Sequence, residues 1–332
     1  MNDPGIPSQA APTSPISPLP PLTFGQALDR ILKLVRANFR LFTGIAMVPA
    51  AFAVAFEATM LGVMFSIIKP WENVPARASF NPVHISFFVV ACVIGSVLLL
   101  VVYALYEPAG IYAALKANVG VKITFGEAWA VALRKAGRYV WLAILRALIV
   151  MVPILIVAGV LAGTLGLSLA HGGAQNGQNA IFVILPLFML LYLCALVYGV
   201  LIMLRLVLAV PACLTEDVPA WAAIRRSNYL SRGAKGRIFL LLLLIYAIAY
   251  IAFMVFEVVV GLVAAFGLLI GVLLHLTLVP WGIAGAVVGG LIFFCGFMVW
   301  AAASYGAYLT IFAVIYQDQR RALEGKWPEL AG

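Results

Sequence analysis

Charge is scarce in this sequence. Only 10% of its 332 residues are Asp, Glu, Lys or Arg, whereas 65% are hydrophobic. Soluble globular domains carry about 25% charged residues. This number of charged residues is too small to cover the surface of a soluble domain of this length. The composition therefore excludes a soluble globular protein and predicts a polytopic membrane protein.

Residues that carry metal and redox chemistry are also few. The four Cys show no CxxC spacing, so neither a disulfide framework nor a zinc ribbon is expected. His84, His171 and His275 are the only histidines. Three imidazoles can bind zinc, but no carboxylate is evident to orient them. The sequence therefore predicts no metal site and no cofactor.

Motifs of soluble enzymes are absent from the sequence as well. It contains no HExxH, nucleophile elbow, phosphate-binding loop or dinucleotide fingerprint, each of which would supply a defined piece of catalytic geometry. No catalytic residue is therefore predicted.

Long apolar runs dominate instead. A membrane-spanning helix needs about 20 apolar residues, and six runs qualify: 41–67, 84–115, 140–169, 179–212, 238–274 and 282–316. These runs predict an all-α fold, a polytopic bundle of six transmembrane helices. Most runs exceed the minimum length, which predicts tilt, helical extensions beyond the lipid, or breaks at Pro49, Pro108, Pro153 and Pro186.

Two finer features follow from glycine within these runs. The fifth run is long enough to contain a re-entrant turn near Gly267 or Gly271. Three GxxxG pairs permit close approach of helices: Gly159/Gly163, Gly267/Gly271 and Gly285/Gly289. We expect packing within the chain to use them, with oligomerisation as the alternative.

The basic residues are distributed unevenly about the predicted spans. Only Lys69 and Arg77 fall in the predicted outer loops, Arg146 and Arg205 lie within spans, and all other Lys and Arg lie on the side of the N-terminus. This asymmetry predicts that both termini are cytoplasmic. The basic residues behind the net charge of +9 are then expected to contact anionic lipid headgroups and not nucleic acid. The alternative is that they serve only to set the topology.

One sequence element occurs twice, at 23–41 (TFGQALDRILKLVRANFRL) and at 124–142 (TFGEAWAVALRKAGRYVWL). Thr23 with Gln26 and Thr124 with Glu127 have the spacing of a capping box, which begins a helix. Apolar residues then recur at i, i+3 and i+4, so each element predicts a one-sided helix lying on the membrane surface. A third such helix is predicted at 217–231.

This recurrence predicts three tandem units, each a basic surface helix followed by a two-span hairpin. The units would be 23–122, 123–216 and 217–316, in parallel orientation, unless the two copies match by chance. A proline-rich tail, 1–22, is expected to be disordered, and 317–332 forms a C-terminal cytoplasmic tail.

Basic residues on or beside the surface helices are the predicted lipid-headgroup contacts. They are Arg30, Lys33, Arg134, Lys135, Arg138, Arg225, Arg226 and Arg232.

Ionisable residues inside lipid are costly and therefore functional candidates. Glu107, Arg146 and Arg205 lie at similar depth near the cytoplasmic ends of their spans, which predicts a charge cluster that locks the hairpins together. A substrate or headgroup site and snorkelling toward the surface are the alternatives. Glu57 and Glu257 lie deeper without a basic partner, so each is either a protonated carboxyl or a proton-coupling group.

Three segments carry a resemblance to a known family: the opening TFGQALDRILKLVRANFRLF, the central RLVLAVPACLTEDVPAWAAIRRSNYLSRG and the closing YLTIFAVIYQDQRRALEG. They resemble the membrane domain associated with glycerophosphoryl diester phosphodiesterases. The matching positions are Arg205, Pro211, Glu216, Ala223, Arg226, Ser227, Leu230 and Gly233, followed by Tyr316, Asp318, Arg320 and Glu324.

The resemblance implies a six-span protein of the bacterial cytoplasmic (inner) membrane. Fused members carry a catalytic barrel after the membrane part, and such a barrel needs about 250 residues. The sequence ends at Gly332, shortly after the last predicted span, so phosphodiesterase activity is not expected of this chain.

The leading hypothesis is a non-enzymatic membrane protein that binds lipid or organises the membrane. Its expected partners are anionic lipids, with a membrane-protein partner or a second copy of the chain as further possibilities. The alternative is a transporter or permease for a small solute or lipid, using the intramembrane Glu and Arg residues. An intramembrane lipid-modifying enzyme is disfavoured because the candidate acids lack a paired base or metal constellation.

The predicted topology can be tested by labelling. Cysteines placed by Arg134→Cys and Arg225→Cys in a cysteine-free background should react with an impermeant thiol reagent from the same side of the membrane, because both surface helices are predicted to face the cytoplasm. Reaction from opposite sides would rule out the six-span arrangement with parallel units.

Overall fold

The fold is a bundle of helices. The computed structural model describes residues 22–68, 82–273 and 278–324, and no strand occurs within these ranges. The helices are α1 (Phe24–Ala37), α2 (Phe39–Ile68), α3 (Pro82–Asn118), α4 (Phe125–Arg134), α5 (Ala136–Leu206), α6 (Ala209–Thr215), α7 (Ala220–Leu230), α8 (Lys235–Leu273) and α9 (Leu278–Glu324). The predicted all-α class is confirmed.

Within the described ranges, six helical segments are long and apolar enough to cross a membrane: Phe39–Met60, Ser86–Asn118, Ala136–Thr164, Pro186–Thr215, Lys235–Val263 and Phe294–Glu324. This confirms the prediction of a multi-pass membrane protein. The backbone stays helical through the four prolines, which transmembrane helices tolerate because neighbouring groups satisfy the freed backbone carbonyls. Helix α8 also stays helical through Gly267 and Gly271, where the length of the fifth run would have allowed a re-entrant turn.

Helix α5 contains two of these spans and reverses direction between them. A straight helix of its 71 residues would be about 106 Å long, yet the Tyr198 hydroxyl lies 3.4 Å from the Ile149 carbonyl oxygen. The chain therefore turns back between these two residues. The backbone at 170–178, between the third and fourth apolar runs, is helical; the cost of a helical glycine, about 1 kcal/mol, does not force a loop there.

The two predicted capping boxes are present. The Thr23 N–H donates to Gln26 Oε1 at 3.0 Å and the Gln26 N–H donates to Thr23 Oγ1 at 3.4 Å. Thr124 and Glu127 make the same pair of bonds at 2.9 and 3.3 Å. The third surface helix is α7, which begins after Pro219 without a side-chain cap.

The buried core lies at the end of the bundle that carries the four short helices. Phe42, Leu142 and Phe312 from three different helices, and Leu208 between α5 and α6, are all less than 2% exposed there. Toward the other end the spans are open, with Leu155 64% exposed. So much apolar surface is stable only against lipid, which agrees with the membrane assignment.

Short helices brace the bundle in a regular way. Helix α1 packs against α9, α4 packs against α3, and α7 packs against α5. The last contact involves the end of the fourth span, because Ser227 Oγ donates to the Arg205 carbonyl at 2.6 Å and accepts from the Leu208 N–H at 3.1 Å. Each short helix thus contacts a span that precedes it in the chain, or, for α1, the last span.

Close helix contact uses glycines other than the predicted pairs. A Cβ added at Gly306 would lie 3.0 Å from Phe42 Cβ, whereas Gly159 and Gly163 face open space. The packing prediction is therefore wrong for the first GxxxG pair. The surroundings of the other two pairs lie outside the described residues.

Substitution of these glycines should have opposite outcomes. Gly306→Leu should lower the free energy of unfolding by about 1–3 kcal/mol, because the added side chain must displace the fixed Phe42 ring. The matched control Gly159→Leu should leave it unchanged or raise it slightly, since leucine is the better helix former. Thermal unfolding of both variants in detergent micelles measures the difference; equal melting temperatures would contradict the contact.

Candidate functional site at the polar end of the bundle

Most described charged residues lie at the end of the bundle that holds the buried core, where the short helices pack. We call this set the basic layer. It contains Asp29, Arg30, Lys33, Arg36, Arg40, Lys116, Lys122, Glu127, Arg134, Lys135, Arg138, Glu216, Asp217, Arg225, Arg226, Arg232, Lys235, Arg237, Asp318, Arg320, Arg321 and Glu324.

Arg226 is the centre of the largest ion-pair network in this layer. Its Nε lies 3.0 and 2.9 Å from the two carboxylate oxygens of Glu216, and its Nη2 donates to Glu324. The Tyr316 hydroxyl donates to Glu216 at 2.8 Å, and Arg320 lies 3.3 Å from Glu324. The network joins α7 and the segment after α6 to the end of α9. The Arg226 guanidinium, predicted to contact headgroups, is therefore held inside the protein.

All five residues of this network are positions that carry the family resemblance. Sequence reasoning assigned a site role only to Arg226 and missed Glu216, Tyr316, Arg320 and Glu324. A usable signal was present: the sequence has only 12 acids, and a carboxylate beside the end of an apolar run needs a partner to be buried.

Lys135 and Arg138, two more predicted headgroup contacts, share an exposed acid. Lys135 Nζ lies 2.5 Å from Asp217 Oδ1, and Arg138 pairs with the same oxygen. The hydrogen bond from Lys135, followed by that from Arg138, holds the pKa of Asp217 below its usual value. The carboxylate therefore stays ionised and offsets part of the local positive charge.

Arg237, at the start of the next hairpin, pairs with an Asp as Arg138 does. Its Nη2 lies 2.6 Å from Asp318 Oδ2, and its Nη1 donates to the Leu22 carbonyl at 2.7 Å. The Leu22 N–H donates to the other oxygen of Asp318 at 2.8 Å. The start of α1 and the end of α9 are therefore held together at one end of the bundle, as an even number of spans requires.

Several other arginines and lysines of the layer are exposed. Arg134, Arg225 and Arg232 are exposed, and within the described ranges none of them forms an ion pair. Arg36, Arg40 and Lys122 are exposed in the same way. Lys33 is exposed too but pairs with Asp29 at 2.7 Å, and Arg30 is bonded to Asn118 at 2.6 Å.

Exposed aromatic side chains accompany the outward cations. The Arg225 guanidinium carbon lies 5.9 Å from the centre of the Trp221 ring. Trp221 is 53% exposed, and Phe125, Trp141 and Tyr229 are similarly open. Exposed Trp and Tyr beside Arg and Lys are typical of the level where lipid headgroups meet hydrocarbon.

Acids of the layer, in contrast, are all engaged. Glu127 accepts the N–H of its own helix cap, Asp29 pairs with Lys33, and each remaining one bonds an arginine: Glu216, Asp217, Asp318 and Glu324. The charge left on the outer surface of the layer is therefore positive.

Within the spans the structure joins two residues of the predicted charge cluster. Arg146 Nη1 lies 2.7 Å from Glu107 Oε2, and each side chain is 18% exposed. The other carboxylate oxygen of Glu107 is buried without a hydrogen-bond partner in the described part of the chain. The pair links α3 to α5, as expected for a cluster that fastens hairpins together.

Arg205 does not join this pair. Its neighbours Leu204 and Leu206 are buried, so Arg205 faces the outside of the bundle and is exposed. Glu57 and Glu257 are also exposed, and neither forms an ion pair in the ranges the structure describes. The side chains of His84, His171 and His275 lie outside the described residues.

Adjacent arginines on α7 should respond differently to substitution. Arg226→Gln should lower the free energy of unfolding by about 1.5–3 kcal/mol, because Glu216 and Glu324 lose their charged donor. Arg225→Gln should cost at most about 1 kcal/mol, the value of an exposed cation–π contact. Chemical unfolding in micelles compares the two; a larger loss in Arg225→Gln would show that the network does not carry the stability.

Comparison of the chain with protein-family models, with curated proteins and with solved structures finds no match.

Proposed function

We propose that this protein binds anionic lipids of the bacterial cytoplasmic membrane through its basic layer, without catalysing a reaction, and so organises lipid around the bundle. One observation carries the proposal. Exposed arginines that form no ion pair in the described ranges accompany exposed aromatic rings at this end of the bundle, while every described acid of the layer is engaged by a helix cap or by a cation.

The expected electrostatic attraction between the exposed arginines and an anionic membrane surface is large enough to support this proposal. Each Lys or Arg near an anionic membrane surface contributes about 1 kcal/mol to attraction. Arg134 ends α4, Arg225 lies on α7, and Arg232 follows α7 directly, so all three sit on elements fixed by caps and ion pairs. Because their backbone is already ordered, little conformational entropy is lost when they meet headgroups.

The layer would face the cytoplasm, with both termini on that side. Support comes from the excess of Lys and Arg on the side of the bundle where Leu22 and Asp318 are bonded, which is the distribution that the positive-inside rule associates with the cytoplasm.

Three parallel units remain our proposal for the architecture. The matching capping boxes of α1 and α4 support it. Arg138 and Arg237 each follow a glycine at the start of a hairpin and pair with an Asp near that hairpin's end, Asp217 or Asp318. The resemblance to the phosphodiesterase-associated membrane domain is proposed on the same basis, since its motif positions form the Arg226 network.

The Glu107–Arg146 pair favours a second candidate function, a transporter. An unsatisfied carboxylate oxygen inside a span is a group that a translocated solute or proton can use. Glu107→Gln separates the two functions. The transporter would keep its abundance and lose flux of its solute, whereas a purely structural pair predicts lower abundance.

Lipid binding can be tested by removing outward cations. The variant Arg134→Gln/Arg232→Gln should bind phosphatidylglycerol at least about tenfold more weakly, because two charges are lost at about 1 kcal/mol each. Native mass spectrometry of the protein released from micelles of mixed phosphatidylglycerol and phosphatidylcholine measures retention of each lipid. Added salt should weaken wild-type binding as well.

A matched control removes the same charge elsewhere. Lys69→Gln/Arg77→Gln alters two cations that the sequence places in the loop on the opposite side, outside the described residues, and should retain phosphatidylglycerol like the wild type. Equal retention by all three proteins would contradict the proposed function.

A further inference from the structure

A small open cavity lies where α1, the end of α3 and the end of α9 meet. Among the residues that line it are Arg30, Asn118, Gln317, Asp318 and Arg321. The cavity belongs to the basic layer but is separate from the Arg226 network and from the outward arginines. Its walls carry two guanidinium groups, one carboxylate and two amides.

A chain of hydrogen bonds fixes the orientation of the two amides. An arginine can only donate, and Arg30 Nε lies 2.6 Å from the Asn118 side chain, so Asn118 presents its oxygen to Arg30. The Asn118 nitrogen is therefore directed at Gln317 and donates to Oε1 of that residue. It follows that Gln317 presents its remaining group, the Nε2 amide, away from Asn118 as a donor.

This donor has no acceptor. Gln317 is 8% exposed, and its Nε2 is buried without a hydrogen-bond partner in the described part of the chain. A buried donor without an acceptor destabilises the fold, because its hydrogen bond to water is lost and not replaced. Gln317 is one of the residues that line the cavity, so a ligand bound there can supply the missing acceptor.

The carboxylate in the wall does not supply it. Asp318 Oδ1 accepts the Leu22 N–H and Oδ2 pairs with Arg237, so both oxygens are engaged and the charge is neutralised. What the cavity offers a ligand is therefore hydrogen-bond donors, from the Gln317 amide and from the guanidinium groups of Arg30 and Arg321.

We propose that this cavity binds a phosphate group. Its donors come from α1 and α9, and a phosphate carries several acceptor oxygens disposed tetrahedrally, which suits donors arriving from different directions. Gln317 Nε2 donates to one oxygen, and Arg30 and Arg321 neutralise the charge. The phosphate belongs either to a free anion or to a lipid headgroup; in the second case the inference deepens the proposed function and rests on it.

Binding at this position would tighten the bundle. The cavity adjoins the bonds that join Leu22 to Asp318 and Arg237, so a ligand would hold the start of α1 against the ends of α3 and α9. A phosphate that binds only the folded state stabilises it by mass action.

The decisive variant is Gln317→Glu. It has the same shape, keeps an oxygen as acceptor for Asn118, and places a negatively charged oxygen where the unsatisfied donor stands. We expect its affinity for phosphate to fall at least about tenfold, the loss associated with a hydrogen bond to a charged group. Arg321→Gln should also weaken binding without touching the amide chain. Arg77→Gln, which removes an arginine from the loop that the sequence places on the opposite side, should not.

Two probes distinguish the sources of the phosphate. Wild type and variants in phosphatidylcholine nanodiscs are titrated with inorganic phosphate by calorimetry, and separate nanodiscs containing phosphatidic acid report enrichment of a lipid phosphate monoester. Binding of inorganic phosphate that weakens in Gln317→Glu supports a free anion. Enrichment of phosphatidic acid alone, lost in the same variant, supports a headgroup.

The proposal is overturned if neither probe separates the wild type from Gln317→Glu while thermal unfolding shows both to be folded. If Arg134→Gln/Arg232→Gln loses phosphatidylglycerol in that case, the general lipid-binding function stands and only the phosphate pocket fails. If the cavity binds inorganic phosphate but Arg134→Gln/Arg232→Gln keeps its phosphatidylglycerol, the phosphate pocket stands and the general lipid-binding function fails.

Discussion

Ion pairing at the end of α9 is the interaction on which the rest of the bundle depends. Helix α9 contains the most buried of the six spans, and its last turns bond α7 through Glu324 and α8 through Asp318. Apolar packing cannot align helices well by itself in a membrane, because lipid tails are as apolar as the side chains they would replace. Charged contacts at the headgroup level supply the alignment that hydrophobic contacts lack.

These pairs also decide which charges stay exposed. The sequence has 21 basic and 12 acidic residues, and the acids of the basic layer are all engaged by caps or cations. Structure and proposed function are linked at this point. The pairing that holds the short helices in place leaves the unmatched arginines exposed, and α4, α5 and α7 expose aromatic rings at the same end of the bundle.

Side-chain burial differs between the two ends of the bundle. The end near the basic layer has a buried core, whereas side chains such as Val93 and Val263 at the open end are more than half exposed. Lipid must cover the open ends of the spans, so the protein depends on its bilayer for part of its apolar burial. Internal polar groups are concentrated where the core is dense, at the Glu107–Arg146 pair and at the Gln317 cavity.

Local chemistry made much of this fold predictable. Six apolar runs, the caps at Thr23 and Thr124 and the one-sided short helices depend on residues close together in the chain, and the structure contains each of them. The helical backbone at 170–178 and the open space around Gly159 were not predictable, because they depend on how spans pair after the chain has turned.

The site shows the same division most clearly at Arg225 and Arg226. These neighbours are the same residue type on one helix, and the sequence by itself determined only that both are basic and near a membrane surface. Tertiary structure decided that Arg226 is held by Glu216 and Glu324 while Arg225 faces outward. Successive residues of a helix point about 100° apart, and the second carboxylate comes from 98 residues further along the chain, so only the folded arrangement of α7 and α9 could separate their roles.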